Sequence, residues 1–480
     1  MSQENMVTLT IDGVKVTVPD TMTIMEAAET QLGIRIPRLC YHPDLSIQGS
    51  CRVCIVDVKG IPFYQASCAV KVAQGMEVET NNPAIRQARR DIVELLLDNH
   101  PRACLTCDRD GNCELQNVAY ATGVRERLFA GERKRFPIEN TNLAVDRDPE
   151  KCILCGRCVR ICDEVQGVHN LSQQGRGFHT LVAPAHDACM DDSVCIQCGQ
   201  CVAACPTAAF TEHDHTEEVW KALADPTKHV VAHTAPAIRA TIGEGFGMPL
   251  GTPAAGKLVT ALRRLGFDRV FDTNFSADLT IIEEANEFMQ RFSKNERLPL
   301  LTSCSPGWVN FLEKFYPELI PNASTCRSPM AMMSSLLKTY YAEKTGIDPK
   351  DIFVVAIMPC TAKKFECNRP ELCMPDGTRE TDAVLTTRET IWMIKNYGID
   401  LRHLPDGEFD SPLGESSGGA DIFGTTGGVM EAALRVAVEK VTGQAPENME
   451  FTEVRAVEGL RERELKVNDE LTLRVGVANG

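Results

Sequence analysis

The chain has 480 residues, 50 Lys and Arg against 66 Asp and Glu, a formal net charge of −16 and 21 cysteines. That acidic balance argues against nucleic acid and against an anionic membrane surface as partners. No run of about 18 apolar residues occurs, so no membrane span is expected. Sixteen of the cysteines lie at or before Cys205 and five after it. The N-terminus Met1-Ser-Gln-Glu-Asn-Met-Val7 carries neither an apolar signal core nor twin arginines. The cysteines therefore read as metal ligands in a reducing cytoplasm rather than as disulfides.

Val7–Ile11 and Val14–Val18 are short β-rich runs joined at Asp12-Gly13, a two-residue hairpin signal. Thr23 then caps a predicted helix from about Met25 to Leu32. Cys40, Cys51, Cys54 and Cys68 follow, and four thiolates are what a [2Fe–2S] cluster needs. Their spacing departs from the plant-type C-x4-C-x2-C loop. A helix over 84–97 leads to His100, Cys104, Cys107 and Cys113. One nitrogen and three sulfurs suit a [4Fe–4S] cluster or a zinc ion, so both stay open on the residues alone. Residues 120–145 are charged and irregular, a connector.

Cys152, Cys155, Cys158 and Cys162 form one C-x2-C-x2-C-x3-C run, and Cys195, Cys198, Cys201 and Cys205, followed by Pro206, form a second. In such runs three cysteines hold one [4Fe–4S] cluster and the fourth ligates the other. The expected sets are Cys152, Cys155, Cys158 with Cys205, and Cys195, Cys198, Cys201 with Cys162. Cys189 fits no series and reads as a buried thiol. His213 and His215 read as an exposed polar turn, because no third ligand lies near.

From Lys228 the pattern is α/β, with strands at Val230–Thr234, Val270–Asp272 and Phe353–Ile357 and a helix over 257–265. Gly251 to Lys257 mimics a phosphate loop, but Leu258 stands where Ser or Thr should hold magnesium. Gly243-Glu-Gly245-Phe-Gly247 lacks the third glycine and the flanking strand and helix of a dinucleotide site. Leu301-Thr-Ser-Cys304-Ser305-Pro-Gly-Trp308 and Met358-Pro-Cys360-Thr-Ala-Lys363-Lys-Phe-Glu366 are two cysteine loops, each placed after a strand-like run. Both are expected to converge at the carboxyl edge of one sheet. Glu284, Glu287 and Arg291 fall on one face of a predicted helix, a face that without further context reads as solvated.

The ligand sets and the two cysteine loops, with Phe423-Gly-Thr-Thr-Gly-Gly-Val-Met-Glu431-Ala-Ala-Leu-Arg435, resemble the catalytic subunit of [FeFe]-hydrogenases. The closest pattern is the multi-cluster, NAD(P)-linked, electron-bifurcating type. The N-terminal part also resembles the large iron–sulfur subunit of respiratory complex I. The resemblance selects a cluster over zinc at His100. It implies a mixed α+β and α/β multidomain chain. Its parts are a β-grasp [2Fe–2S] domain (1–80), a [4Fe–4S] domain with one histidine and three cysteine ligands (81–140), a two-[4Fe–4S] ferredoxin domain (141–215) and an α/β hydrogenase-type domain (216–480). The resemblance also implies an H-cluster, a [4Fe–4S] unit bridged to a diiron site, with Cys360 as a ligand and Lys363 bonding a cyanide. The resemblance implies further that Cys304 hands over protons, supplied through Glu284, Ser324, Glu287 and Arg291.

Ser305 occupies the position of a second ligand, and a hydroxyl is a poorer iron donor than a thiolate; Cys304 or Cys326 is the substitute at hand. The family's last motif, with two further ligands, is absent before Gly480, and the domain is expected to lack its C-terminal part. These 480 residues alone are thus expected not to hold a complete H-cluster. The implied function is interconversion of dihydrogen with protons and electrons, passed along one [2Fe–2S] and three [4Fe–4S] clusters to flavin- and NAD(P)-binding iron–sulfur subunits, with ferredoxin as a further partner. The alternative is a non-catalytic electron-transfer subunit with a degenerate hydrogenase domain, in a bifurcating formate dehydrogenase or transhydrogenase complex.

Overall fold

The structure, a computed structural model, describes residues 5–126, 129, 131–444, 452–453, 459–466 and 472–478. It divides into two units, Met1–Cys195 with Gly199–Glu212, and Ile196–Cys198 with His213–Gly480.

In the first unit, β1 (Met6–Ile11) and β2 (Val14–Pro19) pair antiparallel. Asp12 and Gly13 both take positive φ, 48° and 81°, which a tight hairpin turn needs. α1 (Ile24–Leu32) starts at a capping box in which Thr23 and Glu26 bond each other's backbone N–H groups. β3 (Ile55–Val58), β4 (Gln65–Ala66) and β5 (Glu77–Glu79) complete a sheet ordered β2-β1-β5-β3-β4, with β5 parallel to β1. Leu9, Ile11, Ile24, Ala28, Val56 and Val78 form the core between sheet and helix.

α2 (Pro83–Asn99) extends the predicted helix at both ends, because Asn82 caps it and Pro83 preorganises its first turn. α3 (Glu114–Thr122) starts directly after Cys113. β6 (Val145–Arg147), α4 (Arg157–Arg160), β7 (Ser172–Gln174), β8 (Leu181–Ala183), α5 (Gln200–Ala204) and β9 (Phe210–Glu212) follow, with β6 paired to β9 and β7 to β8. The two cysteine runs share one backbone trace. Leu154 and Gln197 have φ of 55° and 58°, and Gly156 and Gly199 of 70° and 74°. Successive turns of this kind aim backbone N–H groups at an anion, as when Leu154 N–H points at the Cys152 sulfur, 3.4 Å away.

The second unit runs α6 (Thr216–Ala224), β10 (His229–Thr234), α7 (Ile238–Thr241), α8 (Ala255–Leu265), β11 (Arg269–Asp272), α9 (Thr273–Lys294), α10 (Pro306–Phe315), α11 (Pro329–Leu336), α12 (Ala342–Thr345), β12 (Ile352–Met358), α13 (Lys363–Glu366), β13 (Ala383–Thr386), α14 (Thr387–Asn396) and α15 (Gly428–Thr442). Its sheet is parallel throughout, in the order β11-β10-β12-β13. The strands are nearly continuous apolar runs because helices cover the sheet. The chain enters at β10 and turns to opposite sides of it, so the order reverses between β10 and β12. Ligands in such sheets bind beyond the carboxyl ends at that point. β14 (Thr452–Glu453), β15 (Leu460–Lys466) and β16 (Thr472–Ala478) form an antiparallel sheet, whose Leu465 and Leu473 pack with Leu434, Val438, Phe288 and Phe292.

Four expectations change. Cys189 is exposed rather than buried. His215 is buried rather than part of an exposed turn, since its Nδ1 accepts the Val384 N–H at 3.1 Å. The Cys304 loop follows no strand; Leu301 contributes only an isolated parallel bridge to Ala323. The acidic face of α9 is turned inward, with Glu284 and Arg291 both buried. The glycine motifs are packing features: Gly245 lies where any side chain would strike Ile391, and Lys257 spends its ammonium on the carbonyls of Arg402 and Leu404.

Candidate functional site

In the first unit the N-terminal thiols meet in pairs. Cys54 and Cys68 sulfurs lie 3.4 Å apart, and Cys40 is hydrogen-bonded to Cys51. Two such pairs match the two-thiols-per-iron demand of a [2Fe–2S] cluster. Ser67 secures the geometry by donating from its buried hydroxyl to the Cys54 carbonyl at 2.7 Å.

His100 caps the end of α2. Its Nδ1 is buried without a hydrogen-bond partner, and burial pushes its pKa down to about 4. A neutral, unpartnered imidazole is prepared to donate a lone pair to a metal centre. Cys104, Cys107 and Cys113 are electrostatic neighbours, with Cys104 exposed and the other two partly covered. The Cys113 sulfur lies 3.7 Å from the Pro206 carbonyl, and Glu114 N–H donates to that same oxygen at 3.0 Å.

Cys152, Cys155, Cys158 and Cys205 line one cavity, three from the first run and the last from the second. Burial pushes the thiols of Cys152 and Cys155 up to about 11 and 12. Buried thiols of this kind await a charge that can hold them as thiolates, which bound iron supplies. Cys162 accepts the Asn170 N–H at 3.4 Å, Cys201 is buried, and Cys195 and Cys198 are partly covered. Among the described residues no three His, Cys, Asp or Glu side chains gather as a single-ion site would require.

In the second unit Cys360 stands two residues past β12, at the carboxyl edge of the sheet. Lys363 reaches back to the other cysteine loop and donates from Nζ to the Cys304 carbonyl at 3.1 Å, while ion-pairing with Glu366. Burial pushes both the Cys304 and the Cys360 thiol above the ordinary value. Ser305 is exposed and begins α10, making no side-chain cap. The Cys326 sulfur faces Glu287 at 3.7 Å, and burial pushes its thiol up to about 11.

A chain of polar groups leads outward from Cys304. Thr302 Oγ1 lies 3.9 Å from the Cys304 sulfur and donates to Glu284 at 3.0 Å. Ser324 bonds Glu284 and donates to Glu287 at 2.8 Å; Glu287 pairs with Arg291 at 2.6 Å. Burial holds the Glu284 carboxyl above its usual range. Burial pushes Glu287 up as well, but bonds from Ser324 and Thr325 and the Arg291 cation bring it below that range. Two adjacent carboxyls driven apart in this way can hold and pass a proton. Thr302 and Thr325 were not singled out from sequence. Their signal is weak: Thr302 sits two residues before Cys304, and Thr325 directly follows Ser324.

Paired and cavity-lining thiols in one unit, and in the other a cysteine loop at a sheet switch point together with a chain of bonded polar side chains beside Cys304, define an iron–sulfur oxidoreductase. Comparison with known proteins narrows this. Residues 228–480 match the C-terminal domain of the iron-only hydrogenase large subunit. Residues 4–83 match a 2Fe-2S iron–sulfur cluster binding domain, 89–127 an NADH-ubiquinone oxidoreductase-G iron–sulfur binding region, and 140–209 a 4Fe-4S dicluster domain. The NADP-reducing hydrogenase subunit HndD of Solidesulfovibrio fructosivorans is 47% identical over 99% of this chain and 83% of its own. Iron hydrogenase 1 of Clostridium pasteurianum is 40% identical over 99% and 82%. A solved apo [FeFe]-hydrogenase from Chlamydomonas reinhardtii superposes with a TM-score of 0.50 at 42% identity, over 56% of this chain and 75% of that one. The chain belongs to the iron-only hydrogenase large-subunit family, and it is an enzyme of the [FeFe]-hydrogenase type. Among its described residues no helix is long and apolar enough to cross a membrane.

Proposed function

We propose that the protein interconverts dihydrogen with protons and electrons and exchanges those electrons with flavin- and NAD(P)-binding partner subunits in the cytoplasm, with electron bifurcation and ferredoxin as its setting. The carrying observation is the continuous polar chain Cys304–Thr302–Glu284–Ser324–Glu287–Arg291. A solvated helix face has no reason to bury a carboxylate, because burial without a function costs stability.

The N-terminal residues fit one [2Fe–2S] cluster on Cys40, Cys51, Cys54 and Cys68. They fit three [4Fe–4S] clusters on His100, Cys104, Cys107 and Cys113; on Cys152, Cys155, Cys158 and Cys205; and on Cys195, Cys198, Cys201 and Cys162. The domains proposed to carry them are 1–80, 81–140 and 141–215, ahead of the hydrogenase-type domain at 216–480. At the sheet edge Cys360 fits an H-cluster as thiolate ligand and Lys363 as a cationic donor, whereas Ser305 is a weak donor. An H-cluster held there would supply the iron chemistry that makes and breaks the H–H bond. Cys304 holds the proton nearest that site, on a thiol that burial keeps protonated. Thr302 passes it to Glu284, and Ser324 relays it to Glu287 at the Arg291 end.

The exposed Ser305 favours a second reading, an electron-transfer subunit whose hydrogenase domain is inactive. Iron analysis and infrared spectroscopy of the anaerobically matured holoenzyme separate the two. Four clusters give about 14 iron atoms; further iron, with bands of metal-bound carbonyl and cyanide and hydrogen evolution from reduced viologen, supports the hydrogenase. About 14 iron atoms without such bands supports the electron carrier, and half that iron refutes the cluster assignment.

A further inference from the structure

Arg160 is only 6% exposed, yet among the described residues no carboxylate pairs with it. Its guanidinium donates to carbonyl oxygens alone: Nη2 to Cys40 at 2.7 Å and to Cys155 at 3.4 Å, Nε to Gly156 at 3.2 Å, and Nη1 to Ser46. Glu164, one turn further, accepts from the backbone and hydroxyl of Ser46 and feels the Arg160 charge without an ion-pair contact to it. Arg157, on the same helix, differs: it forms a bidentate pair with Glu114, at 2.6 and 2.8 Å. A buried cation with no carboxylate in direct contact is costly, and anionic groups beside it offset that cost.

Cys40 belongs to the two-iron ligand set and Cys155 to a four-iron set. One guanidinium nitrogen bonds the backbone carbonyls of both. We propose that Arg160 is a positioning residue for electron transfer, the shared counter-cation and hydrogen-bonded link between these two centres. This rests on the cluster assignment above. Each thiolate-ligated cluster carries net negative charge and gains another on reduction, so a fixed cation between them favours the reduced form of both. Transfer across the link moves one electron from a reduced two-iron centre to an oxidised four-iron centre, with no bond or proton changing hands. The carbonyl–guanidinium–carbonyl bridge holds the two loops at constant separation, and the Ser46–Glu164 bonds brace the same loop.

The test is redox potentiometry followed by electron paramagnetic resonance on the holoenzyme carrying R160Q or R160K. R160Q removes the charge and is expected to lower both midpoint potentials, making reduction roughly tenfold less favourable, about 59 mV for a one-electron couple. R160K keeps the charge and is expected to stay within about threefold of wild type. A purely structural role would shift both variants alike. Fully reduced wild-type protein should also show magnetic interaction between the two-iron spin and a four-iron spin, a measurement that needs no variant. Unchanged potentials in R160Q with all signals present, or no spin interaction in wild type, would overturn the proposal and leave the cluster assignment standing. Absence of the two-iron signal from wild type would overturn both.

Discussion

Thr302 Oγ1 donates to Glu284 Oε1 at 3.0 Å, joining the Cys304 loop to a buried carboxyl 18 residues earlier in the chain. This bond links the Cys304 loop to the proposed proton route on α9. Thr302→Val removes the hydroxyl while keeping shape and burial. Hydrogen evolution by the matured holoenzyme should fall by roughly 10–100-fold, within the range a positioned proton-transfer group contributes. Reduction of the four proposed iron–sulfur clusters by dithionite should proceed as before, and Thr302→Ser should restore most of the hydrogen evolution. Equal loss in both variants would mean that Thr302 only packs.

Glu284 offers a prediction in which stability and turnover move oppositely. Its carboxyl is held above the ordinary value of 4.5 by burial, so folding favours the protonated form. That contribution is present below pH 4.5 and is lost as pH rises through the folded-state value. Glu284→Gln cannot ionise. Its melting temperature should therefore gain on wild type as pH increases above 4.5, while its hydrogen turnover falls because an amide relays no proton. A constant difference in melting temperature across pH 4 to 8 would refute the buried-acid account.

Two buried histidines set an acid limit on the second unit. His215 accepts the Val384 N–H, and His233 lies between Thr273 at 2.9 Å and Ser334 at 3.3 Å. Burial pushes both down to about 3, from an ordinary 6.5. Above pH 6.5 the folded and unfolded states are both neutral at these sites. As pH falls toward 3 the unfolded chain binds protons that the folded one refuses, and stability is lost. One pH unit below 6.5 the loss is about 1.4 kcal/mol per histidine. His215→Gln should flatten the melting profile between pH 6.5 and 4 by its single share, whatever the initial stability change. An unaltered slope would show that His215 titrates freely.

His100 bears on the cluster it is proposed to hold. His100→Cys should retain the cluster and lower its midpoint potential, because a thiolate adds a negative charge where imidazole has none. Redox titration followed by electron paramagnetic resonance reads the shift. An unmoved potential, or zinc recovered in place of iron, would remove His100 from the ligand set.

The proposed ligand positions could be read from the sequence because the pattern that marks them is local. A C-x2-C-x2-C run is one loop, and its shape follows from a few residues such as Leu154, Gly156 and their counterparts Gln197 and Gly199. The same holds for the Asp12-Gly13 hairpin, the Thr23 cap and the parallel strands, each determined by neighbours in the chain. Periodicity placed Glu284, Glu287 and Arg291 on one face of α9, but a helix period does not say whether that face meets water or protein. Tertiary packing decided it, by bringing Thr302 and Ser324 against the carboxyls from loops distant in sequence. Packing likewise paired Cys40 with Cys51 and Cys54 with Cys68, buried His215 beneath Val384, and joined the carbonyls of Cys40 and Cys155 through Arg160. Side-chain chemistry and local spacing determine which groups can hold a cluster. Which groups share a proton or flank the same charge depends on desolvation and long-range contact, and these exist only once the chain has folded.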